Sequence, residues 1–344
     1  MINFCTLFNS GYLSRGLVLY QSLQNTCNNF HLYVFAFDDV CYDYLKRLNY
    51  KNLTVISLKE FEDEKLLSVK SSRTAGEYCW TCTASTIKYA IQTFNLHQCT
   101  YIDADMYFYS NPKVLLNELG NNSVMITEHR YTEVYDQSID SGRYCVQFMT
   151  FNNDEKGMKV LESWRNNCID WCYARIEDGK FGDQKYLDTW MTEFDGVHEM
   201  QHLGGGMAPW NMQQFEFKKQ NDKVTVKQKS TGQEYQLVFF HFHGLKLFSN
   251  NIVSYTGDKY EMDLDVKQIL FEPYTKELIE LGEKLKKELP NVNFHAISGN
   301  SPQKPINFLS LLRWYFYDIR KNWININGAK TKNRVKHYHY YFTK

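Results

Sequence analysis

Three short apolar runs, separated by stretches of helical character, open the chain and most constrain its fold. Residues 2–8, 30–37 and 53–58 each have the length and composition of a buried strand. The alternation of strand and helix from the first residue predicts an α/β fold with a mostly parallel sheet and helices on both faces. Ligands of such sheets bind outside the carboxyl ends of the strands. The loops 6–12 and 37–39 are therefore predicted to border a binding crevice.

Composition narrows the class of protein further. The 344 residues, 43% of them hydrophobic, suffice for one large domain with an extension or for two modest domains. A formal net charge of +0 gives no general attraction to nucleic acid, which we do not expect as a partner. No apolar run approaches the roughly 18–20 residues of a membrane span, and the first residues lack the basic start of a signal peptide. We therefore expect a cytoplasmic protein.

Cysteine usage agrees with a reducing compartment. The nine cysteines are odd in number and scattered through apolar segments, which predicts free thiols rather than a disulfide framework. Cys79 and Cys82 form a C-x-x-C pair without a second pair or a histidine at zinc spacing. We expect this pair to pack in the core. The sequence also lacks G-x-G-x-x-G and G-x-x-x-x-G-K-[ST], which excludes the usual dinucleotide-binding and P-loop folds.

Two acids one residue apart are the strongest candidate for chemistry. Asp103 and Asp105 follow the apolar run 100–102 and precede a second run, 106–109. In an extended chain their side chains point the same way, at the mouth of a buried sheet where unpaired charge is unfavourable. Paired carboxylates suit Mg²⁺ or Mn²⁺, which complete their shells with water and substrate phosphates. The alternative is a solvated pair at a strand end.

Three later segments carry further candidates. A polar loop over 131–143 is long for a compact domain, which is typical of functional loops. Asp183 and Gln184 follow a glycine-broken loop at the first turn of a predicted helix, where Asp183 is either a helix cap or a functional group. His241 and His243 share one face of a predicted strand and are followed by glycine and lysine, a set that suits a metal and phosphate.

The sequence also makes local predictions about the elements around these candidates. Ser14 is predicted to cap a helix that continues to about Asn25. Residues 224–227 and 235–241 are predicted to form the two strands of a hairpin around 230–232.

Taken in order, these pieces resemble the GT-A glycosyltransferases, most closely the family 8 group and its bacterial relatives that make surface polysaccharides. The matching pieces are Thr6 with 9–12, Tyr-Ile-Asp103-Ala-Asp105, the Asp183–Gln184 pair and His241-x-x-Gly244. The resemblance covers about residues 1–250, and it implies a GT-A catalytic domain over 1–250 with a helical extension over 251–344.

The resemblance implies a function for the matched residues. Asp103, Asp105 and His241 would bind a divalent metal, Mn²⁺ or Mg²⁺, that bridges the phosphates of a nucleotide-sugar, most often a UDP-sugar. Asp183 and Gln184 match the place that contacts the donor sugar near its anomeric carbon. The residues implied to contact the rest of the donor are Thr6, Leu7, Phe8, Tyr12 and Asp38 at the base and ribose, Gly244 and Lys246 at the phosphates, and Ala104 between the two acids.

The sequence departs from the family pattern in two places. The family often has a lysine three residues after the glycine and then Pro-Trp, whereas Lys246 comes two after Gly244 and Leu-Phe follows. A strand that often reads Phe-Asn-x-Gly reads Tyr144-Cys-Val-Gln147, so the donor-sugar and acceptor contacts there do not follow from the resemblance. His243 competes with His241 for the role of third ligand.

The resemblance implies that the reaction retains the anomeric configuration. A leaving phosphate oxygen then accepts the proton of the acceptor, and no dedicated base is needed. An inverting reaction requires a base, for which Asp183 and Glu128 are the first candidates. Two other functions stay open, a sugar-phosphate nucleotidyltransferase and a non-catalytic module that binds nucleotide-sugars.

The C-terminal end has a separate character. Residues 263–289 are predicted to be helical, and Pro290 ends that helix. Aromatic and aliphatic residues then recur at helical spacing among basic ones, which predicts peripheral membrane contact through 305–344, at the inner face of the membrane and toward a lipid-linked saccharide acceptor. The alternative is a helix packed back on the catalytic domain.

Overall fold

The computed structural model describes residues 1–249, 252–256, 259–297 and 299, and the backbone of 340–342. Its strands are β1 (Ile2–Phe8), β2 (Phe30–Ala36), β3 (Leu53–Ser57), β4 (Gln98–Ile102), β5 (Met106–Phe108), β6 (Val124–Glu128), β7 (Tyr144–Asn152), β8 (Val197–Glu199), β9 (Phe215–Gln220), β10 (Lys223–Gln228), β11 (Glu234–Gln236), β12 (Phe239–His241), β13 (Lys246–Leu247), β14 (Ile252–Ser254) and β15 (Tyr340–Phe342).

Helices and helical turns connect these strands. The α-helices are α1 (Leu13–Thr26), α2 (Asp39–Leu48), α3 (Leu58–Phe61), α4 (Glu64–Lys70), α5 (Ala75–Thr93), α6 (Lys113–Glu118), α7 (Ser138–Ser141), α8 (Glu155–Asp170), α9 (Trp190–Glu193), α10 (Leu264–Val266) and α11 (Glu272–Glu288). Short 3₁₀ turns span Ser10–Tyr12, Glu133–Tyr135, Lys185–Thr189 and Met212–Gln214, and a π-helical stretch, Lys267–Phe271, joins α10 to α11. No helix in the described ranges combines the length and apolarity needed to cross a bilayer.

A seven-stranded sheet in the order β3-β2-β1-β4-β7-β6-β8 forms the centre of the molecule. Strands β1, β2, β3 and β4 pair in parallel, as do β6 and β8, whereas β7 runs antiparallel to both β4 and β6. The predicted mostly parallel α/β sheet is therefore confirmed. Because β7 runs the other way, its first residues lie at the same edge as the carboxyl ends of β1 and β4.

Helices cover both faces of this sheet, as predicted. Alternate residues of β1 point to opposite faces, so Cys5 and Leu7 join the core under α5 and α8, while Phe4 and Phe8 join the core under α1 and α2. The C-x-x-C pair packs as expected, because Cys82 is fully buried in the first of these cores and Cys79 lies against it.

Helix α11, the last helix of the described residues, packs against α1 near the N-terminal end of the chain. The Oγ atom of Ser14 donates to the carbonyl oxygen of Phe294 at 2.9 Å. Ser14 therefore does not cap α1, which already begins at Leu13, and that prediction is wrong because a tertiary partner takes the hydroxyl. The division at residue 250 stays a prediction.

The predicted hairpin is correct only in its first part. Strands β10 and β11 pair antiparallel, but the second predicted strand breaks after Gln236, and β12 leaves to pair with β5. The membrane-contact prediction for 305–344 falls outside the described residues except for the backbone of β15, which pairs with β14.

Candidate active site

A cavity of about 640 Å³ opens at the carboxyl ends of β1 and β4. Its lining comes from the end of β1, the first half of α5, the turn after β4, the start of β7, the loop 129–141, residues 181–184 and the strand end at His241. This is the edge at which the sequence predicts a crevice.

The chain turns at the two acids rather than continuing extended. Strand β4 ends at Ile102, β5 begins at Met106, and the Met106 amide donates to the carbonyl oxygen of Asp103 at 3.3 Å. The extended chain considered in the sequence analysis is therefore not what the structure has at these residues. The turn still directs both carboxylates into one cluster, and the Tyr101 hydroxyl donates to Oδ1 of Asp103 at 3.0 Å.

His241 reaches the acids through the pairing of β12 with β5. The antiparallel register sets His241 opposite Met106, the residue that follows Asp105. The Nε2 atom of His241 then lies 3.1 Å from Oδ1 of Asp105 and 3.7 Å from Oδ2 of Asp103. The Nδ1 atom, on the other side of the ring, lies 2.9 Å from Oε1 of Gln147.

The cluster fits a divalent cation. One ligand atom from each of Asp103, Asp105 and His241 lies within 4.8 Å of the other two. Among the described residues, His241 is the only basic side chain within ion-pair distance of either carboxylate. Two carboxylates and one imidazole leave a net negative charge at the edge of the cavity, and oxygen donors with one imidazole suit Mn²⁺ or Mg²⁺. The role of these residues as ligands stays a prediction.

The pKa values of the two histidines shift in opposite directions. Burial lowers the pKa of His241, but Asp105 and Asp103 raise it well above its usual range. Burial raises the pKa of Asp105, whereas the charge and hydrogen bond of His241 outweigh it and bring the pKa to about 2. His243 contacts no acid closely, and although its side chain is exposed, partial desolvation and the charge of His241 lower its pKa. His241 belongs to the cluster with the two acids, and His243 does not.

Asp183 and Gln184 both line the cavity. Burial and then the nearby charge of Asp103 raise the pKa of Asp183 to about 7. Asp183 does not cap a helix, because a 3₁₀ turn follows and Gln184 is the residue before it. The main-chain carbonyl of Asp183 accepts from Trp164, and the side-chain amide of Gln184 donates to the carbonyl of Ser141. Both residues are thus fixed at the wall of the cavity.

The predicted base and ribose contacts divide into two groups. Leu7, Phe8 and Tyr12 line the cavity, whereas Thr6 is fully buried in β1 and Asp38 lies outside the lining. The Oδ1 atom of Asp38 accepts from the Cys41 amide at 2.7 Å, and its Oδ2 atom accepts from the amide and hydroxyl of Ser10, both at 2.8 Å. In this structure Asp38 caps α2 and holds the loop after β1.

The other predicted donor contacts, Ala104 and the two phosphate contacts Gly244 and Lys246, also differ in position. Ala104 lines the cavity between the two acids, but Gly244 and Lys246 lie outside its lining. Gly244 has a φ of +79°, which glycine adopts without strain, and Lys246 is exposed at the start of β13. The glycine turn changes the direction of the chain after His243.

An aromatic wall beside His241 is the main feature that the sequence did not reveal. It consists of His129, Tyr131, Trp210, His243 and Tyr260. The rings of His129 and Tyr131 stack at 4.6 Å, and Trp210 meets His129 edge-on at 5.1 Å. The tyrosine-rich loop 131–143 was a signal, but Trp210 and Tyr260 come from distant segments that only the fold brings together.

Two proteins of Bacillus subtilis are related to this chain in sequence. No family model matches the chain. The uncharacterized protein YfnD of Bacillus subtilis (strain 168) is 27% identical over 299 residues, which cover 84% of this chain and 92% of YfnD. The uncharacterized protein YfnF of the same strain is 27% identical over 293 residues, covering 83% of this chain and 95% of YfnF. These two relatives do not assign an activity.

A solved structure identifies the fold. The galactosyltransferase LgtC, in complex with donor and acceptor sugar analogs, is similar with a TM-score of 0.50 and 13% identity, over 84% of this chain and 100% of that chain. The chain therefore has the glycosyltransferase fold, as the sequence predicts.

Proposed function

We propose that the protein is a metal-dependent glycosyltransferase that uses a nucleoside diphosphate sugar, a UDP-sugar, as donor and Mn²⁺ or Mg²⁺ as cofactor. The observation that carries this proposal is the cluster of Asp103, Asp105 and His241 at the carboxyl ends of the strands, in a chain with the glycosyltransferase fold. The family 8 resemblance of the sequence supports the same donor and metal.

The chemistry requires a stabilised leaving group. Breaking the sugar–phosphate bond leaves negative charge on the diphosphate, and a bound divalent cation neutralises it. Asp103, Asp105 and His241 would hold that cation at the edge of the cavity. The Tyr101 hydroxyl orients the Asp103 carboxylate, and the buried position of the His241 ring excludes water from one side.

The donor then extends along the cavity from the cluster. Leu7, Phe8 and Tyr12, at the end of β1, lie where a base and ribose contact the wall, and Asp38 supports them by fixing the loop that contains Ser10. The apolar surface of Phe8 and the ring of Tyr12 suit a planar base. Thr6 supports the end of β1 from the core, and contact of Gly244 and Lys246 with the phosphates stays a prediction because both lie outside the lining of the cavity.

The donor sugar lies beside Asp183 and Gln184 in this proposal. Both residues line the cavity, and Asp183 lies near enough to Asp103 for that charge to raise its pKa. We infer retention of the anomeric configuration, with the carboxylate of Asp183 stabilising positive charge at the anomeric carbon. Proton NMR of the first product distinguishes the two anomers, and an inverted product would instead assign Asp183 as a base.

The acceptor is a saccharide, free or lipid-linked, that packs on the aromatic wall. Aromatic rings present apolar faces to the C–H side of a sugar, and Gln137 and Lys259 offer polar groups at the rim of the same cavity. An acceptor of this kind is consistent with synthesis of a bacterial surface polysaccharide at the cytoplasmic face of the membrane.

The test is donor turnover and binding. The purified protein is incubated with a panel of UDP-sugars with and without Mn²⁺ or Mg²⁺, and UDP release and UDP affinity are measured. We expect metal-dependent release from at least one donor, and a loss of about 100-fold or more for Asp103→Ala and Asp105→Ala. Asp43→Asn, which changes an exposed acid of α2, is the matched control and leaves both quantities unchanged.

Two results would overturn the proposal. One is metal-independent binding of UDP that survives both alanine substitutions. The other is release of pyrophosphate from a nucleoside triphosphate and a sugar phosphate, which would identify a nucleotidyltransferase instead.

A further inference from the structure

A carboxamide lies under the histidine of the metal cluster, in the middle of the central sheet. Gln147 belongs to β7 and is fully buried. Its Oε1 atom lies 2.9 Å from Nδ1 of His241, and its main-chain oxygen accepts from the Asp103 amide at 3.2 Å. One residue thus contacts the ring of His241 through its side chain and the backbone of Asp103 through its main chain.

The burial of this side chain is not explained by packing alone. The neighbours of Gln147 on β7 are buried, and most are apolar, including Val146 and Phe148. Among the described residues, no hydrogen-bond partner is found for its Nε2 atom. A leucine or methionine would fill a similar volume without an unpaired amide in the core. The benefit of a glutamine must therefore come from its oxygen atom, which faces His241.

The oxygen atom determines which nitrogen of His241 carries a proton. A carbonyl oxygen can only accept, so Nδ1 must be protonated to make this bond, and in the neutral ring Nε2 then presents its lone pair. In the structure Nε2 faces both acids and its N–H donates to Asp105, so a cation bound there would replace that proton and take the lone pair of Nε2. Trp210 also contacts the His241 ring, but its indole N–H donates to the carbonyl of His129 and does not compete for Nδ1.

We propose that Gln147 is a positioning residue for the metal site, which holds His241 in the Nδ1-protonated form with Nε2 directed at the cation. This inference rests on the proposed metal dependence. It predicts that metal affinity depends on a hydrogen-bond acceptor at position 147 rather than on the shape of the side chain.

The test compares three variants by calorimetric titration with Mn²⁺ in the presence of UDP. Gln147→Leu removes the acceptor, and we expect Mn²⁺ affinity to fall about 10- to 100-fold. Gln147→Glu keeps an acceptor oxygen in nearly the same shape, and we expect affinity within about 3-fold of the native protein or higher, as for outer-shell carboxylates. Thr150→Val, which removes a buried hydroxyl of the same strand bonded to Thr100, is the matched control and should leave affinity unchanged.

The outcomes separate this inference from the proposed function. Failure of the native protein to bind Mn²⁺ with UDP overturns the metal site itself. If the native protein and Gln147→Leu bind Mn²⁺ with equal affinity, only the positioning role is overturned. An equal loss of affinity in Gln147→Leu and Gln147→Glu overturns it as well, because the loss would then come from altered packing. Thermal melting without metal identifies any variant that does not fold, and Gln147→Met then replaces Gln147→Leu.

Discussion

The Nε2 atom of His241 lies 3.1 Å from Oδ1 of Asp105, although β12 and the turn at Asp105 are far apart in the chain. The contact exists because β12 pairs with β5 instead of continuing from β11. Any role of this imidazole therefore depends on one short strand pair.

We expect the two histidines of this segment to differ sharply on substitution. His241→Asn removes the imidazole nitrogen from the cluster, and Mn²⁺-dependent UDP binding should weaken by about 100-fold or more. His243→Asn is the matched change, because His243 lies outside the cluster, and its effect on metal affinity should stay within about 3-fold. Calorimetric titration measures both. The opposite ranking would make His243 the ligand.

Substitution of Asp183 should separate turnover from metal binding. Asp183→Asn keeps the size of a buried side chain at the cavity wall but removes its charge. We expect kcat for donor turnover to fall about 100-fold, while Mn²⁺ affinity changes little. Asp195→Asn, an exposed change in the turn before β8 at the opposite edge of the sheet from the cavity, serves as the control. Equal kcat values for the two variants would remove Asp183 from the reaction.

We expect the protein to become less stable in mild acid because His295 binds a proton more readily in the unfolded chain. Burial, and then the charge of Arg15, lower the pKa of His295 in the folded protein to about 4, from about 6.5 in an unfolded chain. Between these values the unfolded chain binds the proton and the folded protein does not, so the free energy of unfolding falls as pH drops from about 6.5 to 4.

Urea unfolding at pH 7, 6 and 5 measures this decrease. His295→Gln should make the pH dependence shallower, whereas the exposed His97→Gln should leave it unchanged. A pH dependence of the same slope in His295→Gln would show that other groups account for it.

A pair of glycine substitutions tests the packing of α11 against the rest of the protein. A Cβ atom on Gly282 would lie 2.2 Å from Nε2 of His295, so Gly282→Ala should destabilise the protein by about 1–3 kcal/mol. No atom lies within 4 Å of the corresponding position on Gly76, in the first turn of α5. Gly76→Ala should be neutral or stabilising by up to about 1 kcal/mol, as helix propensity predicts. Chemical denaturation of both variants gives the comparison.

The sheet was predictable because local patterns determine it. The apolar runs 2–8, 30–37 and 53–58 are each long enough to identify a strand, and the helical stretches between them require parallel pairing. The same logic located the edge of the sheet where Asp103 and Asp105 lie. The pattern could not show that the chain turns at these acids, because a turn of three residues leaves the flanking apolar runs unchanged.

The features that the sequence did not predict depend on contacts between distant segments of the chain. Asp38 reads as a ligand contact from its place after β2, yet its oxygens bond to Ser10 and Cys41, a pairing that requires the loop after β1 to fold over it. Gln147 reads only as a departure from the family pattern, and its contact with His241 depends on strands that meet across the sheet. Hydrogen-bond partners of this kind leave no periodic signal in the sequence.

Strand β12 has only three residues, and so does β5, the strand with which it pairs. A cation held jointly by the turn at Asp103 and by His241 would cross-link these segments as a covalent bridge does. The ion would then stabilise the fold as well as take part in the reaction. Its binding would slow the exchange of amide protons near β12 with solvent, and it would slow those of the outer strand β3 less.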